Sequence, residues 1–323
     1  MKDRRFGRLG WEVSEVGYGM WGMSGWTGSS EQEAFDALQR SVELGCTFFD
    51  TAWAYGEGHS ESMLGRLVRA NPSRRLFTAT KIPPRNRCWP SRREHHLDDC
   101  YPPEYMEEYV HRSLRNSGLS RFDLVQFHTW EDSWMEDDRW VRKMDDLRSQ
   151  GLLQGVGISI NRWEPWNALR AVRSGLIDAV QVIYNLFDQA PEDELFPACR
   201  EHGVAVIARV PFDEGSLTGT LTKETTWPQG DWRNTYFVKD NLAQSVDRAE
   251  ALKTLLPSGM SLPELAIRFI LSHPDVSTVI PGMRQVRHVE ENVESGNHGP
   301  LSAEMIRALR AHRWDRTPTR WSQ

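Results

Sequence analysis

Cysteine is scarce and unpatterned in this chain of 323 residues: Cys46, Cys88, Cys100 and Cys199 include no CxxC pair, so neither a zinc knuckle nor a disulfide framework is written into it. Positive charge is in deficit as well. Lys and Arg number 39 against 45 Asp and Glu, for a net charge of −6 and a pI near 6.0. That balance argues against a nucleic-acid binder, because phosphate contacts need a basic face. Long apolar runs are missing too, and no window approaches the roughly eighteen consecutive apolar residues of a membrane span. The opening MKDRRFGRLG is charged where a secretory signal would be apolar. From these absences we expect reduced thiols, a cytoplasmic location and a small-molecule partner rather than a nucleic acid or a membrane.

Two clusters are set aside on physical grounds. Arg85, Arg87, Arg92 and Arg93 read as a solvated loop. In EHHLDDC at 94 to 100, His95, His96, Asp98, Asp99 and Cys100 could be metal ligands, but adjacent histidines in extended chain point apart and no ligand spacing recurs. We expect a polar loop there and no metal.

What is present is a strong alternation. Apolar residues at 39% and charged residues at 26% suit a globular chain with a sizeable core. Short β-branched or aromatic runs occur at 15–21, 46–52, 76–82, 123–129, 153–160, 179–186, 203–210 and 276–282. Between them lie segments of helical period: EQEAFDALQRSVELG, stopping on Gly45, PEYMEEYVHRSLRNSG, stopping on Gly118, and others near 138–150, 163–174, 191–202, 263–272 and 285–295. Eight strand and helix units predict a (β/α)₈ TIM barrel occupying 1–323 as a single domain. The opening RRFGRLGWEVSE reads as an N-terminal β-hairpin capping the barrel's bottom. Two long connections, 83–102 and 211–240, follow strand C-terminal ends, where barrel active sites lie.

GYGMWG at 17–22 fits GxGxxG after a strand, with Asp50 at the next strand's end as a candidate ribose acid. A dinucleotide-binding Rossmann unit needs its helix to begin inside the glycines, and here MSGWTGSS intervenes. We read these glycines instead as a tight turn on the barrel rim.

The chemistry-bearing residues gather at successive strand ends. FFDTAWAYG at 48–56, Lys81 in TATKI and His128 in VQFHT supply an acid, a phenol, an ammonium and an imidazole. Polar reduction of a carbonyl needs such a set, because an acceptor that gains hydride must also gain a proton from a positioned donor. Taken singly, a buried Asp–Lys pair or a strand His is more often structural. Four of them in register at three strand ends point to Tyr55 as the donor.

Along nearly its whole length the chain resembles the aldo-keto reductase superfamily. The likeness is carried by the LGxxVSxVGxG opening, DTAxxYGxxxSE at 50–61, TK at 80–81, QFH at 126–128, GIS at 157–159, QVxYN at 181–185, and VIPG with EEN at 279–292. It implies that Tyr55 protonates the carbonyl oxygen, Lys81 stabilises the phenolate, Asp50 pairs with Lys81, and His128 orients the carbonyl. An unperturbed phenol titrates near about 10, so a neighbouring ammonium helps it work at neutral pH.

The resemblance also implies a nicotinamide cofactor, NADP(H) favoured over NAD(H). Its ring would meet Ser159, Asn161 and Gln181, beside Gly19, Met20 and Trp21 of the rim turn. Ser159 matches the family pattern, whereas Ile160 separates it from Asn161. In ARVPFDEG, Arg209 stands where many members carry an aromatic ring, with Pro211 and Phe212 adjoining; a guanidinium can stack there instead. Gly215, Ser216 and Leu217 resemble the segment lying along the pyrophosphate. PGMRQVRHVEEN supplies Gly282, Arg284, His288, Glu291 and Asn292 for the adenosine end, with Arg284 the expected partner of a 2′-phosphate. Gly282 replaces a usual lysine.

Trp21, Trp53, Trp89 and Trp130 are expected to wall a pocket for an apolar or aromatic aldehyde or ketone, alongside Tyr55 and His128. The same parts run alcohol oxidation in reverse. Two other readings share these residues: a non-catalytic nicotinamide-nucleotide sensor or regulatory subunit, and an NAD-dependent sugar or polyol dehydrogenase.

Overall fold

The structure, a computed structural model, describes residues 1–23, 30–237 and 241–316. Strands β1 (Asp3–Phe6) and β2 (Trp11–Ser14) form an antiparallel hairpin with Phe6 opposite Trp11. Eight parallel strands follow: β3 (Tyr18–Gly19), β4 (Phe48–Asp50), β5 (Phe77–Ile82), β6 (Phe122–His128), β7 (Leu153–Ser159), β8 (Ala179–Ile183), β9 (Ala205–Arg209) and β10 (Val276–Val279). Each pairs with the next. Parallel bridges Val16–Val279 and Gly19–Gly282 join the first to the last and close the barrel. All eight expected strands and the hairpin are therefore present in a (β/α)₈ barrel.

The barrel's interior changes character along its axis. Side chains alternate in a strand, so every second residue faces inward. The inward series run Phe48–Asp50 on β4, Phe77–Ala79–Lys81 on β5, Leu124–Gln126–His128 on β6, Ala179–Gln181 on β8 and Ala205–Ile207–Arg209 on β9. The lower members of these series pack with Phe6 and Val13 of the hairpin in one apolar cluster. The upper members are polar or charged. The hairpin thus plugs the amino end and keeps water from the floor of the site; Arg8 fixes it there through its N–H to Gly203 O (2.6 Å) and its guanidinium to Asp178 (2.9 Å).

Helices pack outside. Glu31–Glu43 starts at a Ser30 capping box, and Pro103–Ser117 ends at Gly118 in the left-handed conformation, as the sequence signals require. The helix expected near 163–174 is shorter, Leu169–Ser174. Trp163 has a φ of 59° and Pro165 follows, so the chain turns before it can wind. Likewise Ala190–Glu192 is a 3₁₀ turn and the helix proper is Leu195–His202. Loop residues 83–96 and 210–237 lie over the carboxyl end, with 238–240 outside the described residues. No helix among the described residues is long and apolar enough to cross a membrane.

Helix His59–Ala70 carries part of the DTAxxYGxxxSE motif and sits close against Pro103–Ser117. A Cβ on Gly65 would fall 1.7 Å from Ser117 O, so only glycine fits. Gly65→Ala should cost roughly 3 kcal/mol, the upper range of overpacking penalties, measured as a fall in the urea midpoint with the slope unchanged.

Candidate active site

Asp50 ends β4 and Lys81 lies one strand over on β5, both facing in and almost wholly buried. The Lys81 ammonium donates to Asp50 Oδ2 (2.5 Å), Thr51 O (2.8 Å) and Tyr55 Oη (3.2 Å), which uses all three of its protons. Burial pushes the lysine down, but the Asp50 carboxylate and Tyr55 outweigh it and hold the group above its usual value. It is an ammonium across the working pH range. Asp50 Oδ1 accepts from the Nε2 atoms of Gln126 and Gln181, each at 2.9 Å. Gln181 also donates to Gln126 Oε1 at 3.2 Å.

Tyr55 sits in the turn between β4 and helix His59–Ala70. Its N–H donates to Ala52 O and its own carbonyl accepts from Ser60 N. Ser60 and Glu61 explain the rest of the motif. Thr51 Oγ1 donates to Ser60 Oγ (2.7 Å), which donates to Met20 O (3.1 Å). Glu61 accepts from Thr80 Oγ1 (2.6 Å) and Asn116 Nδ2 (2.8 Å), while its burial raises its pKa. These bonds tie the tyrosine turn to β5 and to the first rim turn.

His128 ends β6. Burial, followed by the charges of Lys81 and Arg209, pushes its pKa well below the ordinary histidine value, so the imidazole is neutral. It meets the Tyr55 ring edge-on with centroids 6.0 Å apart, and the Trp89 ring at the same distance. Its buried Nδ1 has no hydrogen-bond partner.

A cavity of about 260 Å³ opens above these groups, lined by Tyr55, Trp89, His128, Ser159, Gln181 and Arg209, with Arg162 at its side. Arg209 donates to Ile160 O at 2.9 Å, and its buried Nε has no partner. Burial, then the neighbouring Arg162, pull its pKa down to about 10. Arg162 pairs with Glu214 at 2.5 Å.

Three expectations are corrected by this geometry. Asn161 turns away from the cavity: its Nδ2 donates to Ser91 O (2.9 Å), Glu131 Oε1 (2.8 Å) and Glu164 Oε2 (3.2 Å), so it braces the long loop after β5 instead of facing a cofactor ring. Trp130 is wholly buried, packed against Phe127, Trp134 and Trp140, with Nε1 on Asp132. β6 ends at His128, and the chain then carries Trp130 into the outer layer. Trp53 stacks edge-on to Tyr109 under Arg87, outside the cavity. Of the four tryptophans only Trp89 lines it. Trp21 stands on the rim, 42% exposed and edge-on to Trp232.

The remaining expected residues lie around the carboxyl ends of β9, β10 and β3. Gly19 bridges Gly282, and a Cβ on Gly282 would meet nothing within 4 Å. Buried Met20 adjoins them. Arg284 packs its stem on Gly22, where a Cβ would lie 2.7 Å from its Cγ. His288, Glu291 and Asn292 are on helix Val286–Asn297; Asn292 is buried and Glu291 exposed, facing Arg287. Buried Pro211 and half-buried Phe212 lead into Gly215, Ser216 and Leu217. This segment is anchored by Asp213, which accepts from Ser216 Oγ (2.7 Å) and Arg316 (2.7 Å). Arg316 also pairs with Asp188 and reaches Tyr236 Oη at 2.9 Å. In EHHLDDC, His96 and Asp99 form a capping box on helix Leu97–Cys100.

Sequence reasoning assigned no role to Gln126, Thr51, Glu61 or Arg162. The first carried a usable signal, since it shares the inward face of β6 with His128. The others make contacts that only the folded turn creates.

Residues 15–313 match the Aldo/keto reductase family. The chain is 26% identical to the NADH-specific methylglyoxal reductase of Escherichia coli (strain K12), covering 96% of this chain and 99% of that protein. It is 27% identical to the aldo-keto reductase yakc [NADP(+)] of Schizosaccharomyces pombe, covering 87% and 83%. The holo form of aldo-keto reductase AKR11C1 from Bacillus halodurans superposes over the full length of both chains, with a TM-score of 0.76 and 26% identity. With a barrel of this topology and a sequence match that spans almost all of it, the chain belongs to the aldo/keto reductase family, oxidoreductases that act on carbonyl groups with nicotinamide cofactors.

Proposed function

We propose that residues 1–323 form one catalytic unit that reduces an aldehyde or ketone with NADPH, Tyr55 giving the proton. The observation that carries this reading is the 3.2 Å contact between Tyr55 Oη and a Lys81 ammonium already anchored on Asp50. When bound, the nicotinamide supplies the hydride. Tyr55 supplies the proton to the carbonyl oxygen, and the ammonium offsets the charge left on the phenolate. Asp50 holds the ammonium in place while Gln126 and Gln181 share its carboxylate's charge. A neutral His128 beside the phenol orients the carbonyl without adding a second positive charge.

The residues present suit a nicotinamide nucleotide. Ser159 and Gln181 offer hydroxyl and amide groups on one wall, the flat Arg209 guanidinium offers a face on which the ring can stack, and the open space at Gly282 leaves room where the chain after β10 meets β3. Arg284 is the residue we assign to a 2′-phosphate. Relatives are named for NADH in one case and NADP(+) in another, so the preference of this chain rests on that arginine.

Tyr55→Phe should retain cofactor affinity and lose turnover of benzaldehyde by about three orders of magnitude or more, measured by calorimetry and steady-state kinetics. Turnover equal to that of the parent would remove the phenol from the mechanism.

Calorimetric titration should show micromolar or tighter NADPH binding. Arg284→Ala should weaken NADPH about tenfold, the loss of one charge-assisted contact, and leave NADH unchanged. Equal effects on both nucleotides would dissociate Arg284 from the 2′-phosphate.

The depressed His128 sets a pH dependence. Below about 6.5 the unfolded chain takes up a proton that the folded site resists, so stability declines as pH falls through and below that value. Comparing denaturation midpoints at about pH 7.5 and 5.5, His128→Asn should show the smaller decline.

A further inference from the structure

The cavity above Tyr55 carries more positive charge than carbonyl reduction requires. Two guanidiniums, Arg162 and Arg209, border it, and among the described residues no Asp or Glu side chain does. The nearest carboxylate beneath, Asp50, is saturated by Lys81, Gln126 and Gln181. Glu214 is engaged by Arg162. Arg209 donates to the carbonyl of Ile160, and its buried Nε finds no acceptor among the described residues. A cation drawn out of water beside a second cation, without a carboxylate of its own, is a costly arrangement that an incoming anion relieves.

We infer, building on the reductase reading above, that the substrate is an aldehyde or ketone bearing a carboxylate, and that Arg209, supported by Arg162, receives that carboxylate. A planar guanidinium can lay its face on a ring while its edge donates in plane, so the stacking position assigned to Arg209 leaves its N–H fork available. Trp89, edge-on to His128 over the same cavity, covers the carbon skeleton between the reacting carbonyl and the carboxylate. An anion could also come from the cofactor's phosphates. The substrate is favoured because both arginines share a cavity with Tyr55 and His128, whereas 215–217 and 282–284, assigned to the cofactor's phosphates, are not part of its lining. His128 is held neutral partly by Arg209, which ties this charge directly to the reacting end.

The test compares kcat/KM for 4-carboxybenzaldehyde and its methyl ester, and for 4-oxobutanoate and its methyl ester, with saturating cofactor. The acid-to-ester ratio is the readout, because both substrates meet the same loaded enzyme and a weakened cofactor site or partial unfolding cancels. In the parent, at least one pair should show a ratio of about tenfold or more. Arg209→Met should bring that ratio near unity, Arg162→Met should lower it, and Arg209→Lys should restore part of it. A parent ratio at or below unity for both pairs, with the esters still reduced, overturns the carboxylate inference and leaves the reductase reading standing. A high ratio untouched by either arginine substitution overturns the assignment to these residues. Weaker NADPH binding in Arg209→Met with an unchanged ratio assigns the anion to the cofactor and overturns it as well. No reduction of any of the four compounds counts against the reductase reading and this inference together.

Discussion

The buried pair between Lys81 and Asp50 is the constraint to which the upper half of the barrel is fitted. Two charges removed from water are expensive unless every proton and lone pair finds a partner. Here the ammonium's three protons go to a carboxylate, a backbone carbonyl and a phenol, and the carboxylate's second oxygen takes two amides. The phenol completes that shell. Tyr55 is thus held by the same bonds that make the pair tolerable, and a group able to give a proton is built from the solution of a burial problem.

That solution depends on the barrel's gradient from apolar to polar. Phe77 and Ala79 precede Lys81 on the inward face of β5, Leu124 precedes Gln126 and His128 on β6, and Ala205 and Ile207 precede Arg209 on β9. The hairpin residues Phe6 and Val13 close the lower end. A dry lower interior makes the charges above it interact strongly, since nothing beneath them screens. The outer contacts serve the same end. Glu61 and Ser60 stitch the tyrosine turn to β5 and the rim, and Arg316 reaches from near the carboxyl end to hold Asp188 and Asp213 over the mouth.

The barrel was legible in the sequence because strand alternation and helical period are local signals, and Asp50, Lys81 and His128 because they fall at strand ends, where direction is set by the pleat; Tyr55, in the turn after β4, was legible through the DTAxxYG motif. Legibility failed two or three residues beyond those ends. Asn161, Trp53 and Trp130 all lie in turns just past a strand, where alternation no longer dictates which way a side chain points. Trp130 went to the outer aromatic layer and Asn161 to Ser91, Glu131 and Glu164. The overlong helix near 163 failed similarly, since a left-handed Trp163 and Pro165 break a period that hydrophobicity alone suggests. Gln126 was missed for a different reason. Its contacts are with Asp50, 76 residues away in the chain, and Gln181, 55 residues away.

These distances along the chain also separate what is fixed from what can vary. The Asp50, Lys81 and Tyr55 set hangs on β4, the turn after it and β5, with Gln126 from β6 and Gln181 from β8, and each member satisfies another's buried polar group, so a change in one strands the rest. The residues we assign to the adenosine end sit in the segment after β10 and on the helix that follows, joined to β3 by the Gly19–Gly282 bridge and apart from the hydrogen bonds that Asp50 and Lys81 make. A charge gained or lost at Arg284 leaves the ammonium and the phenol where they are. A change of nucleotide preference on such a barrel need not disturb the Asp50, Lys81 and Tyr55 set, and relatives of this chain are named for NADH and for NADP(+).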